Sequence, residues 1–313
     1  MPTAHLDRRN FLLIGAAAAL SAPSRALEGV ISLVGYNDMA EMLSALNAAF
    51  TRHHPGVAFN TELPGTRSGP DALASGRSTL APMGARFTPA QRALFFKATQ
   101  REPEGFRVAH ASLSPKALSG PNGLIAHREN PLRAIDLDFV ARLFTDGKPH
   151  LWGEARVAGL WEDREIVLAG LSPGTPLALE FRDAAFPSVN FGSDYRGFGQ
   201  SRDVIDFIAR EPAALGFAAL NRCDDRVRAL GIRRNATSPT IYASKETLRA
   251  GLYPLDRHLW LYARRNSRGC LDPLARAYLA FVLSSEGQVI VGAGSLGYLA
   301  LGERERRREL AKL

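Results

Sequence analysis

The residues with chemistry to offer in this sequence are small and mostly uncharged. They are glycines, serines and threonines gathered just ahead of predicted helices. The most developed stretch is Gly65-Thr66-Arg67-Ser68-Gly69-Pro70. Pro70 is expected as the first helical residue, with Ser68 or Gly69 as cap. A helix start carries unpaired backbone N–H groups and a partial positive charge, which suit an anion. Comparable stretches are Asn37-Asp38, Gly84 to Arg86, the Ser172-Pro173-Gly174-Thr175 loop, and Ser201. Together they would bind an anion without metal or catalysis if they met at one cleft. Taken singly, each reads equally well as an ordinary capped helix after a turn.

Other chemistries leave little trace. The sequence has no HExxH, no CxxC, no Walker loop and no GxGxxG placed after a predicted strand. Ala293-Gly294-Ser295-Leu296-Gly297 lacks the first glycine of a nucleophile elbow and follows a helix, so it reads as a turn. The seven histidines are scattered, and the His53-His54 pair reads as a polar helix end. No catalytic residues, no metal and no cofactor are expected, and the chain is read as a binding protein rather than an enzyme.

The elements that must position these loops alternate between strand and helix. Val30 to Val34 is an apolar strand, and Met39, Leu43, Leu46 and Phe50 recur at helical spacing behind an Asn37 or Asp38 N-cap. Strands are expected at 57–61, 79–83, 106–113, 123–127, 166–169, 215–220, 227–232 and 259–263. Helices are expected after Pro70, Thr88, Ala134, Pro176 and Ser201, and at 274–283 and 286–291. Alternation joined by short loops makes an α/β protein. At 313 residues and 46% apolar composition, the chain is long enough for two lobes, each with its own core. The tail 303–309 mixes charge signs at helical spacing and reads as a solvated helix rather than a nucleic-acid patch.

The N-terminus reads as a targeting segment. Arg8-Arg9 precede an alanine-rich apolar run, and Ser24-Arg25-Ala26 is a small-x-small cleavage site. This is the pattern of a twin-arginine signal peptide spanning residues 1–26, which places the mature chain in a periplasm. Its removal takes away Arg8, Arg9, Arg25 and Asp7, lowering the formal charge from +8 to +6. Beyond it no run reaches the length of a membrane span. In such a compartment Cys223 and Cys270 could pair or remain separate thiols, and the sequence leaves both open.

Over nearly all of the mature chain the sequence resembles the phosphate-binding proteins of the bacterial phosphate ABC transporter. The resemblance rests on Val34-Gly35-Tyr36-Asn37-Asp38-Met39, His54-Pro55-Gly56-Val57, Gly65 to Leu73 and Gly76 to Ala85. It continues in Ser172 to Pro176, Glu211 to Phe217, Tyr253-Pro254-Leu255-Asp256-Arg257-His258-Leu259 and Ser285-Glu286-Gly287-Gln288. It implies a two-lobed type 2 periplasmic binding protein with a ligand cleft between lobes. Residues 27–115 and 255–313 would form lobe 1, and 116–254 lobe 2. The implied ligand is phosphate or a related oxyanion, and the implied partner is an ABC permease. The alternative is a member with a degenerate site, acting as a periplasmic sensor or protein-interaction module.

Departures fall where the family holds phosphate. The comparison puts Thr79 at the family's aspartate, Gly84-Ala85 at its Ser-Arg, and Pro173 and Pro176 at the serine and arginine of its Ser-Gly-Thr-Arg loop. Asp38 falls at a threonine position, where an inward carboxylate would repel an anion. Arg67, Arg86 or Arg196 are the candidates to restore the lost positive charge.

Overall fold

A computed structural model describes residues 27–313, and the expected signal peptide lies outside them. The first sheet contains β1 (Gly29–Val34), β2 (Val57–Glu62), β3 (Leu80–Met83), β4 (Glu104–His110) and, from far along the chain, β12 (His258–Ala263). Its order is β2-β1-β3-β12-β4. The first three strands run parallel, and β12 is antiparallel to both its neighbours. The second sheet contains β5 (Asn122–His127), β7 (Val167–Leu171), β8 (Arg196–Phe198), β9 (Ala214–Ala219) and β10 (Val227–Ala229), in the order β10-β5-β9-β7-β8. A small parallel pair joins β6 (Ala134–Asp136) to β11 (Gly231–Arg233).

Every residue of β5 and β9 is buried, as expected for central strands covered on both faces. The covering helices of this lobe are α4 (Leu137–Thr145), α5 (Pro176–Ala185), α6 (Ser201–Ile208) and the short α7 (Lys245–Arg249). Phe181 of α5 stacks on Phe217 of β9 with ring centroids 4.0 Å apart. Truncating such a ring to alanine costs about 3–5 kcal/mol. The other sheet is covered by α1 (Ala40–His53), α2 (Ser68–Ala74), α3 (Pro89–Thr99), α8 (Pro273–Val282), α9 (Ser285–Ala293) and α10 (Glu303–Leu310). The helical spacing read in the sequence buries Leu43, Leu46 and Phe50 of α1, and Phe50 packs edge-on against Tyr278 of α8. Among the described residues no single helix is long and apolar enough to cross a membrane.

The chain passes between the sheets after β4 and returns before β12. The two passages touch where Ala111 N–H donates to Arg257 O at 2.8 Å.

Several local expectations change. The N-cap of α1 is Met39, with no side-chain cap bond, and Asn37-Asp38 form a 3₁₀ turn ahead of it. The Asp38 carboxylate is taken by Leu118 N–H (2.8 Å) and the Tyr298 hydroxyl, so it cannot cap. Helix α2 begins at Ser68 behind an Arg67 cap, which puts Pro70 inside the first turn, where a missing N–H costs nothing. The single strand expected over 227–232 is two strands in different sheets. Leu230 N–H still bonds Leu124 O (2.9 Å), whereas Gly231 N–H bonds Arg133 O (2.9 Å). Cys223 and Cys270 are both free thiols, and burial, helped by Asp224, pushes the Cys223 thiol up to about 12.

The tail helix is docked rather than solvated all round. Glu309 of α10 is 0% exposed and binds Arg107 Nε of β4 (2.6 Å) and Lys312 Nζ (2.5 Å). Glu305, one turn earlier, faces His110 and His258.

Candidate functional site

Between the sheets lies a cleft of about 630 Å³. Its walls come largely from the loops that follow β1, β2, β3, β7, β8 and β9, the carboxyl ends of the strands. That is where open α/β sheets place ligands. The first lobe contributes Tyr36, Thr66, Arg67, Gly84 and Ala85, and the second contributes Thr175, Pro176, Leu177, Gln200, Ser201 and Arg202. Thus five residues singled out from the sequence meet here: Thr66, Arg67, Gly84, Thr175 and Ser201. The starts of α2, α5 and α6 all open onto this space.

The hydroxyls differ in what they have left to give. Thr175 caps α5, accepting from Ala178 N–H (3.3 Å) and donating to Ser172 O (2.9 Å), so its side chain is spent. Ser201 Oγ accepts from Ala219 N–H (3.1 Å), and among the described residues it donates to none. No side chain caps α6, whose N-cap is Gln200. Asp203 and Val204 N–H bond Gln200 O, and among the described residues the N–H groups of Ser201 and Arg202 stand free for an acceptor in the cleft.

The remaining sequence candidates lie outside the lining. Asn37 is exposed. Asp38 is turned to Leu118 and Tyr298 and ties β1's loop to the first passage between lobes. Ser68 closes its own turn by donating to Gly65 O (2.8 Å). Ser172 N–H bonds Phe198 O (2.8 Å), and Gly174, with φ of +88°, makes the turn into α5 that only glycine enters without strain. Arg86 Nη2 stands 2.9 Å from Asp183 Oδ2, and its N–H reaches Glu180 Oε1 at 3.0 Å, so it joins the lobes instead of facing a ligand. Arg196 lies over the Phe207 ring at 5.0 Å.

Thr79 requires the largest correction. It sits at the amino end of β3, where its hydroxyl accepts from Ser32 N–H at 3.1 Å. It lines a separate cavity with Ser78, Arg101 and Arg264. The cleft lies at the other end of the strand, about 13 Å away at ~3.3 Å per residue. Thr79 therefore stands at no ligand position. Of the other departures, Gly84, Ala85 and Pro176 line the cleft, and Pro173 and Asp38 do not.

Three arginines that local sequence reasoning passed over, Arg202, Arg222 and Arg257, line it as well. Arg257, 4% exposed, donates to Gly120 O (3.1 Å) and Gly84 O (3.0 Å) and pairs with Glu180 of α5. It lies in the Tyr253–Leu259 motif, which was the signal available. Arg222 donates to Pro115 O and Ala117 O, each at 2.8 Å, and meets no carboxylate there. With Arg67, Arg202 and Arg222 set against Asp203, the lining carries net positive charge once Arg257 is neutralised by Glu180. Tyr36 adds a buried hydroxyl whose pKa is raised by burial, offset in part by its bond with Ser119 (2.9 Å), so it stays protonated. Its ring also fills the space beside Gly84, where a Cβ would fall 2.5 Å from Tyr36 Cε1.

No family model matches the chain. A phosphate-binding protein PstS of Pseudomonas aeruginosa is 22% identical over 316 aligned positions, covering 96% of this chain and 94% of that protein. The crystal structure of PstS from Borrelia burgdorferi superposes with a TM-score of 0.56 at 16% identity, covering 88% of this chain and 99% of that one. An ABC-type phosphate transport receptor from Vibrio cholerae gives 0.56 at 14% identity, covering 86% and 99%. The chain is a divergent relative of these phosphate-binding proteins. Its fold is theirs, two α/β lobes with a cleft between.

Proposed function

We propose that the chain is a periplasmic solute-binding protein that takes phosphate or a related oxyanion between its lobes and presents it to an ABC permease. The observation that carries this reading is the cationic cleft onto which the starts of α2, α5 and α6 open from both lobes. Backbone N–H groups at these starts supply much of the binding, Ser201 and Thr66 add hydroxyls, and Arg67, Arg202 and Arg222 supply charge. Leu118, Pro176 and Leu177 give the same cleft an apolar side, which suits an oxyanion carrying a short organic group such as a phosphonate. Export through the twin-arginine segment would deliver the folded chain to the periplasm, and lobe closure would be the signal the permease reads.

Isothermal calorimetry with phosphate, arsenate, sulfate and methylphosphonate tests the reading. One-to-one binding of at least one of these is expected, and no heat with any of them removes it. The bare side chains at Ala85 and Pro176 favour a second reading, a sensor or interaction module whose anion site has decayed. Pro176→Arg separates the two. Phosphate binding that appears only in this variant would show a decayed site within an intact cleft.

A further inference from the structure

Three residues that are scattered in the sequence meet behind the cleft. His110 ends β4, His258 begins β12, and Glu305 lies in the first turn of α10. Each offers one ligand atom, and all these atoms lie within 4.8 Å of one another. His110 is 0% exposed, and its Nε2 has no hydrogen-bond partner although Glu305 Oε2 is only 3.0 Å away. The approach is close, but its direction does not suit a shared proton. His258 Nε2 is likewise buried without a partner, 3.7 Å from Glu305 Oε1. Two buried ring nitrogens thus face one carboxylate without hydrogen-bonding to it, an arrangement that costs free energy unless something lies between them.

The opposite side of His110 is fully engaged. Its Nδ1–H donates to Asp256 Oδ2 at 2.6 Å. In the neutral ring this bond leaves the lone pair on Nε2, as carboxylates do behind metal-binding imidazoles. Two imidazoles and a carboxylate are the donor set of borderline first-row cations such as Zn²⁺. Bonds of about 2.0–2.1 Å around a tetrahedral ion set its donors about 3.3 Å apart, and the two rings stand 3.0 and 3.7 Å from the two different oxygens of Glu305. A surface cavity of about 610 Å³ reaches His258 and Asp256, although Arg86, Arg107, Arg257, Arg308 and Lys312 also line it and oppose a cation's approach. Arg107 Nη1, 3.7 Å from Glu305 Oε1, opposes a cation, and Glu309, which Arg107 shares with Lys312, offsets that charge only in part.

We infer that His110 Nε2, His258 Nε2 and the Glu305 carboxylate bind one divalent cation of the Zn²⁺ type, with Asp256 as the positioning residue behind His110. The site lies outside the anion cleft and does not depend on what the cleft binds. Its bound ion would tie α10 to the two strands that flank the passages between lobes.

Chelator-treated full chain titrated with Zn²⁺ by calorimetry, and with Co²⁺ by visible absorption, tests this. One Zn²⁺ per chain, a Co²⁺ spectrum of a nitrogen- and oxygen-ligated ion, and a melting temperature raised by Zn²⁺ are expected. Glu305→Gln and His258→Gln should each weaken Zn²⁺ at least tenfold, and Asp256→Asn by about tenfold to a hundredfold. Since Glu305 also docks α10, His258→Gln at the cavity rim is the variant that preserves packing, and melting curves in chelator show that each variant is folded. A folded wild type that takes up no stoichiometric Zn²⁺ overturns the inference. So does uptake undiminished in both His258→Gln and Glu305→Gln.

Discussion

The second-lobe wall of the cleft presents the starts of α5 and α6 with Ser201, Arg202 and Arg222. The first-lobe wall presents Thr66, Arg67 and the side-chain-poor Gly84-Ala85 turn. On one side, donors are built into helices of ten and eight residues packed on the sheet. On the other, they belong to a seven-residue helix and to a turn that Tyr36 has filled. On the proposed reading, anion recognition would lean on the second lobe, while the first would mainly close the space.

The largest expected effect breaks the stronger wall. Ser201→Asp sets a carboxylate at the start of α6 and should weaken phosphate at least a hundredfold, about 2.8 kcal/mol by calorimetry. Next, Gly84→Ser should destabilise the fold by about 1–3 kcal/mol in thermal melts, because its Cβ meets the Tyr36 ring. Adding Tyr36→Ala should recover part of that loss. A Gly84→Ser protein of unchanged stability and better affinity would mean that the first wall is bare for no steric reason. Arg222→Met removes a cation with no carboxylate partner and should cost phosphate affinity about tenfold. Arg67→Met, on the exposed rim, should cost only a few-fold, and that loss should vanish at high salt. If Arg67 outweighs Arg222, the ranking of the walls is reversed. Smallest of all, Thr79→Asp should leave affinity unchanged within twofold, since its side chain faces a different cavity.

Thr79 also shows what a sequence can and cannot carry. The motif around it places β3 correctly, yet residue types along a strand do not say which end meets the ligand. That depends on strand direction and on the partner lobe. The helix start at Thr175 was legible because capping chemistry is local, whereas α2 and α6 begin without a side-chain cap. Arg222 and Arg257 were not read as cleft residues, because they reach it only where the chain passes between lobes. The split of residues 227–232 turns on Leu230 bonding one sheet while Gly231 bonds another, a competition between distant partners. Glu309 lies in a run of charges that reads as solvated, and only the docking of α10 on β4 makes it a buried partner of Arg107. Histidines at 110 and 258 were set aside as scattered, since 148 positions separate them and only the pairing of β4 with β12 brings them together.

Arg257 holds Gly84 of one lobe, Gly120 of the passage and Glu180 of the other lobe at once. The proposed opening of the cleft would move α5 away from β3, and one guanidinium cannot follow both. The pin would therefore act on time as well as on free energy. Each opening would first have to break a desolvated ion pair, and each closing to re-form it. Capture and release would then be slow relative to free hinge motion on the microsecond-to-millisecond scale. The residence time of a ligand would be set by this contact, which need not touch the ligand at all.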